Sequence, residues 1–173
     1  MTGLSLQQAT IDDWPRIWPV WHEVVAAGDT YTYDSGSTSD QGRASWLAGG
    51  DRDEAWLAVL DDRVVGTYHV APNQGGAGDH VVNGSYMVDA SVRGHGVGRS
   101  MVVHSLHRAA ALGFLGMQFN AVAATNVGAI GLYERLGFDR VGRVPGAFRH
   151  PRDGRVDLVV MYRELVDLPP LPA

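Results

Sequence analysis

The spacing of hydrophobic positions changes repeatedly along the chain, and each change marks an element. Leu4–Gln8 alternates as a short strand, whereas Trp14, Ile17, Trp18, Trp21 and Val25 recur at helical spacing until Gly28. Thr10 and Asp13 form a capping-box-like start, with Asp in place of the preferred Glu. Pro19 is expected to distort this helix unless it sits in the first turn. The aromatic stripe reads as core, not as a cofactor box. "GDTYTYDSG", Gly28–Gly36, is a loop with two tyrosines, and Ser39–Leu47 a short helix. Ala55–Leu60 and Val64–Ala71, joined by Asp-Asp-Arg, read as a hairpin, and His80–Val88 follows the loop "PNQGGAGD" as another strand. Gly98–Leu112 is a helix with Val102, Leu106 and Ala109 on one stripe. Met117–Val122 is a strand, and Asn126–Leu136 a helix with Asn126 as cap and Gly137 as stop. Phe138–Val144 and Asp157–Arg163 close the chain as strands. Such an order, with about seven strands and four helices, predicts an α/β chain with a mixed sheet and not the strict alternation of a doubly wound fold.

Nothing in the pattern breaks the chain in two. Residues 1–173 read as a single domain with a core over 4–165 and a proline-rich tail, 166–173, expected to be extended or disordered. The tail resembles a partner-binding polyproline segment only weakly. Composition is that of a soluble globular protein, 45% hydrophobic and 19% charged. The net charge of −5, without a basic run, argues against a dedicated nucleic-acid binder. With no cysteine, disulfides and thiolate chemistry are excluded, which suits a reducing cytoplasm. No stretch is apolar for the length of a membrane span, and MTGLSLQQATIDDW lacks the basic start and apolar core of a signal peptide.

The strongest chemical signal is "SVRGHGVGRS", residues 91–100, between a strand and a helix. Strand, glycine loop and helix together present free backbone N–H groups and a positive dipole end to an anion. A triphosphate P-loop would need a lysine after the glycines, and a dinucleotide fingerprint a different glycine spacing and a later acid; neither is present. Arg93, Gly96 and Gly98 match a third pattern, [QR]-x-x-G-x-[GA]. A purely structural glycine turn is the alternative.

"NVGAIGLYERLGF", Asn126–Phe138, resembles the second signature of the GCN5-related N-acetyltransferase (GNAT) family, and "YMVDASVRGHGVG" resembles that family's fourth strand running into its pyrophosphate loop. The resemblance covers nearly the whole chain, although Leu4–Leu47 shares only element order. It implies the GNAT fold, a mostly antiparallel sheet flanked by helices, and acetyl-CoA as cosubstrate, attacked directly by a free amine. Carried onto this sequence, it places the cofactor along Met87, Val88, Arg93, Gly94, His95, Gly96, Val97, Gly98, Arg99 and Ser100, with Asn126 and Tyr133 beside the pantetheine and thioester. A backbone N–H near Val88 would face the developing oxyanion. Tyr133 would protonate the departing thiolate; its alternative role is core packing on a face shared with Ala129, Leu132 and Leu136.

"HVVNGSYMV" and "MQFNAVAATN" resemble more narrowly the acetyltransferases acting on azetidine-2-carboxylate and other proline analogues. Their three asparagines match Asn83, Asn120 and Asn126, and imply that Asn83 and Asn120 contact the substrate or a catalytic water. Asparagine also satisfies backbone at strand ends, and that alternative stays open. Tyr31, Tyr33, Phe148 and His150 are expected in loops that line the acceptor pocket, and His69 and His80 are candidate bases. His104 and His107 lack a third metal ligand, so no metal is expected. The expected partner is a small-molecule amine, with neither nucleic acid nor membrane, in a cytoplasmic enzyme; the family resemblance adds homodimerisation. A protein or peptide acetyltransferase and a non-catalytic acetyl-CoA-binding module are the competing functions.

Overall fold

A computed structural model describes residues 3–171. The chain forms one seven-stranded sheet in the order β1-β2-β3-β4-β5-β7-β6. Its strands are β1 (Ser5–Gln8), β2 (Glu54–Leu60), β3 (Arg63–Pro72), β4 (Val81–Val88), β5 (Gly116–Ala123), β6 (Asp139–His150) and β7 (Gly154–Glu164). Helices α1 (Trp14–Ala27) and α2 (Ser39–Trp46) precede the first hairpin, α3 (Val97–Ala111) joins β4 to β5, and α4 (Val127–Arg135) follows β5. Every pairing is antiparallel except β4 with β5. The fold is therefore the expected mixed, mostly antiparallel α/β sheet with four helices.

Two cores sandwich the sheet. On one face, Trp14, Ile17 and Trp21 of α1 and Trp46 of α2 pack with Leu57 and Met87. On the other, Met101, Val102 and Leu106 of α3 and Ile130 of α4 pack with Tyr68, Val70, Phe119 and Met161. The tryptophan stripe is thus core, as its spacing predicts, with Trp18 stacked on Trp21 at 5.7 Å. Helix α1 runs through Pro19 unbroken, although Pro19 lies beyond the first turn. The carbonyl that proline deprives of a partner is that of Pro15, close to the helix start, so the cost falls where the helix is least committed.

Local signals act where they are expected. Asp13 accepts from the N–H and hydroxyl of Thr10 at 2.9 and 3.1 Å, Thr38 caps α2, and Asn126 caps α4 by accepting from the N–H of Ala129. Asp61 and Asp62, at φ 48° and 62°, turn the β2–β3 hairpin. Two expectations are corrected. β6 extends to His150, so Phe148 and His150 lie in a strand and not in a loop. The described part of the tail is held against the domain and not free. His107 donates from Nε2 to the carbonyl of Pro169 at 2.8 Å, Arg163 bonds the carbonyls of Val166 and Asp167, and Leu168 packs on the main core. The last two tail residues lie outside the described part.

Candidate functional site

β4 and β5 part company in mid-sheet. Their pairing covers only Val81–Asn83 against Gly116–Gln118; beyond it β4 stays with β3 and β5 stays with β7. A wedge opens between them, and the backbone of β4 that faces it needs other partners. The N–H of Asp89 bonds Val65 on β3, so alternation turns the N–H groups of Val88 and Tyr86 toward the wedge. That of Tyr86 donates to the hydroxyl of Tyr31, which in turn donates to the carbonyl of Tyr86, both at 2.8 Å. Tyr31 thus stands in for a missing strand at this residue. Val88 lines the open cleft one pair further on.

Two cavities occupy the wedge and its surroundings. The larger, about 970 Å³, runs from the glycine loop past Val88 to α4 and the β6–β7 turn. The smaller, about 260 Å³, lies between the loop after α1, β4 and β5. Thr30, Tyr31, Tyr86, Asn126 and Tyr133 line both, so the two cavities adjoin along these residues.

At the far end of the large cleft, Gly94 and Gly96 adopt φ of 79° and 85°, with open space where a Cβ would stand. This is the conformation that glycine alone adopts at low cost. The first α3 bond runs from Ser100 N–H to the Gly96 carbonyl, which leaves the N–H groups of Val97, Gly98 and Arg99 unclaimed within the helix. No acidic residue stands in that first turn, and Arg93, Arg99, Arg135 and Arg152 border the cleft. The arrangement fits a pyrophosphate: backbone donors and the positive end of a helix, with no carboxylate in that first turn, stand in a cleft bordered by four guanidinium groups, although Asp29 and Asp153 line the same cleft elsewhere.

The expected cofactor residues fall into three groups. Val88, Arg93, Gly94, Gly96, Val97, Gly98, Arg99, Asn126 and Tyr133 line the cleft. Met87 borders it too, but its side chain is buried in the α1 core. His95 and Ser100 belong to the loop without lining the cleft; the His95 ring is held by the Arg93 carbonyl at 3.0 Å. Tyr133 packs against Phe119 with centroids 4.4 Å apart, and burial pushes its pKa up, so the phenol keeps its proton through neutral pH.

Asn83, Asn120, Tyr31 and Tyr33 line the smaller cavity, as expected of acceptor-site residues. Phe148 does not: its ring is buried with Ala123 and Leu158, and it lines neither cavity. Among the candidate bases, His80 is exposed and His69 is half-buried, its Nε2 closed off without a hydrogen-bond partner and its ring 5.8 Å from Trp46. Asp79 pairs with Arg52 at 2.9 Å. His104 Nδ1 contacts the Tyr68 hydroxyl at 2.6 Å, and among the described residues no cluster of acids and histidines could hold a metal. Sequence reasoning missed Tyr86, Ser85 and Arg152. Ser85 was legible, because it shares a strand face with Asn83; Arg152 was not, because the β6–β7 hairpin was drawn too short.

Comparison with known proteins agrees with this geometry. Residues 11–138 match the model of the acetyltransferase (GNAT) family. The chain belongs to that family. A GCN5-related N-acetyltransferase from Kribbella flavida is 42% identical, with a TM-score of 0.89 over 94% of this chain and 98% of that one. A GNAT superfamily phosphinothricin acetyltransferase from Sinorhizobium meliloti, solved with acetyl-CoA, shares the fold at 21% identity, with a TM-score of 0.82 over 95% of this chain and 89% of that one. The N-acetyltransferase aca1 of Schizosaccharomyces pombe is 37% identical over 98 residues, 56% of this chain and 47% of that protein. The match thus spans about half the length of this curated relative. No helix among the described residues is long and apolar enough to cross a membrane.

Proposed function

We propose that this GNAT protein is an acetyl-CoA-dependent N-acetyltransferase acting on the free amine of a small molecule, an amino acid or proline analogue. The observation that carries the reading is that a cleft suited to a pyrophosphate and a small polar cavity adjoin, with Tyr133 among the residues lining both. Acetyl-CoA, when bound, supplies the acetyl group as a thioester. The chain's residues do the rest. The Arg93–Gly98 loop holds the pyrophosphate, and the Val88 N–H faces the carbonyl oxygen as charge develops there. Tyr133, kept protonated by burial, hands a proton to the departing sulfur. Asn83 and Asn120 orient the acceptor from the walls of the smaller cavity.

The size of that cavity favours a free small amine over a protein segment, and the pair of asparagines favours an amino acid or proline analogue. Thiol release from acetyl-CoA, measured with free amino acids, azetidine-2-carboxylate and short peptides, tests the reading. Asn83→Ala should lower kcat/KM for the acceptor about ten- to a hundredfold and leave acetyl-CoA affinity intact, the loss of one buried amide contact. Turnover of peptides alone would defeat the small-molecule reading, and equal loss of cofactor binding would make Asn83 structural. The cytoplasmic location and homodimer expected from the sequence belong to this proposal and are tested by fractionation and by sedimentation.

A further inference from the structure

The smaller cavity contains no charged wall. Tyrosines, threonines, asparagines, Ser85 and apolar groups line it, without a carboxylate, imidazole or guanidinium. One wall is fixed by a chain of amides: Gln118 donates to Asn120 Oδ1 at 2.7 Å, and Asn120 Nδ2 donates to Asn73 Oδ1 at 2.6 Å. An ammonium group entering this space would meet no counter-charge on its walls.

The proton acceptors nearby are protonated tyrosines or stand outside this cavity. Tyr31, Tyr33, Tyr86 and Tyr133 face the cavity, and burial pushes the pKa of each upward. Asp29, His150, Arg152 and Asp153 lie along the larger cleft and not in this cavity. His150 Nδ1 already accepts from the N–H groups of Arg152 and Asp153 at 3.3 and 3.1 Å. Across β3, His69 pairs in register with Ser85, but its Nε2 is closed off from solvent, and burial lowers its proton affinity.

We propose that the acceptor enters this cavity as the free base, its proton lost to bulk water, and that the protein supplies no general base. The rate then follows the fraction of acceptor present as free base, so a strongly basic amine, whether a proline analogue, a lysine side chain or a polyamine, is a poor acceptor at neutral pH and a better one as pH rises. The inference rests on the acetyltransferase reading above. The proton balance closes: the nitrogen lone pair forms the C–N bond as the C–S bond breaks. Tyr133 gives a proton to sulfur and recovers one from water, and the nitrogen sheds its proton to water, so the protein gains none over a turnover.

The test is kcat/KM from pH 6 to 10 for two small acceptors, an amino-acid amide with an amine pKa of about 8 and an alkylamine of about 10.4. The amide's profile should level off above about pH 8, while the alkylamine's still rises at pH 10, its limb lying about two pH units higher and its rate roughly 200-fold slower at pH 7 from protonation alone. His69→Gln should leave both limbs where they are. A limb at one pH for both acceptors, or one abolished by His69→Gln, overturns the inference and leaves the acetyltransferase reading standing. No turnover of either amine, with acetyl-CoA still bound, overturns both.

Discussion

Replacing Tyr31 by Phe removes one oxygen and should destabilise the whole sheet centre. The hydroxyl bonds both the N–H and the C=O of Tyr86, 55 positions away, at the place where β5 has left β4. Without it a partly buried donor and an acceptor lose their partner together. Each such loss costs about 1–3 kcal/mol when nothing replaces it, and water entering the neighbouring cleft offsets part, so about 2 kcal/mol is expected in total. In a domain of this size that corresponds to a Tm lower by about 4–8 °C. The ring itself should stay, since it stacks on Tyr33 with centroids 5.7 Å apart and meets Trp46 edge-on. Calorimetry at neutral pH measures the shift, and an acetyl-CoA titration on the same sample reports whether the wedge still binds. Because Tyr31 also lines the smaller cavity, kcat/KM for the acceptor should fall with the stability. A Tm within about 1 °C of the wild type would refute the strand-substitute argument, because it would mean that water serves Tyr86 equally well.

Gly96→Val forces a β-branched side chain into a left-handed conformation and projects it into the space of the pyrophosphate; acetyl-CoA affinity should fall at least about tenfold by calorimetry, and unchanged affinity would reject the loop assignment. Tyr133→Phe keeps the ring among Phe119 and Phe138 but deletes the proton; kcat should fall roughly 10²–10³-fold with little change in Tm, and full activity across pH 6 to 9 would return the residue to core packing. Glu54 gives the pH prediction. Burial pushes its carboxyl up, but hydrogen bonds from Arg108 and Trp56 outweigh that and hold it below the ordinary value. A depressed pKa contributes stability above the unfolded-state value and loses it as pH falls through the folded one. Glu54→Gln should therefore be less stable than wild type at pH 7, with the gap closing toward about pH 3 in denaturant melts; a constant gap would reject the linkage.

What could be read from the chain divides by how local the physics is. The Arg93–Ser100 loop works through its own backbone: glycines in left-handed conformations and three free N–H groups at a helix start. All of it lies within ten consecutive residues, and all of it was legible. So was α4, whose cap and stop sit at its own ends. β6 was truncated because its outward residues are exposed almost throughout and its register shifts twice, between Arg140 and Gly142 and between Val144 and Phe148. Those shifts erase the two-residue period that would have carried the strand to His150. Pairing with β7, 11 residues long, extends it regardless. The same reason hid the acceptor pocket. Its walls come from the loop after α1, the middle of β4, the end of β5 and the start of α4, and no segment alone carries its defining property, the absence of charge. A cofactor held by backbone leaves its signature in one contiguous stretch of sequence. A cavity built from single side chains on four elements does not, so the acetyl donor is legible from sequence where the acceptor is not. The distinction has a consequence for substitutions: changes at Asn83, Ser85 or Asn120, none of which lines the larger cleft, should redirect the choice of amine while the glycine loop keeps the donor bound.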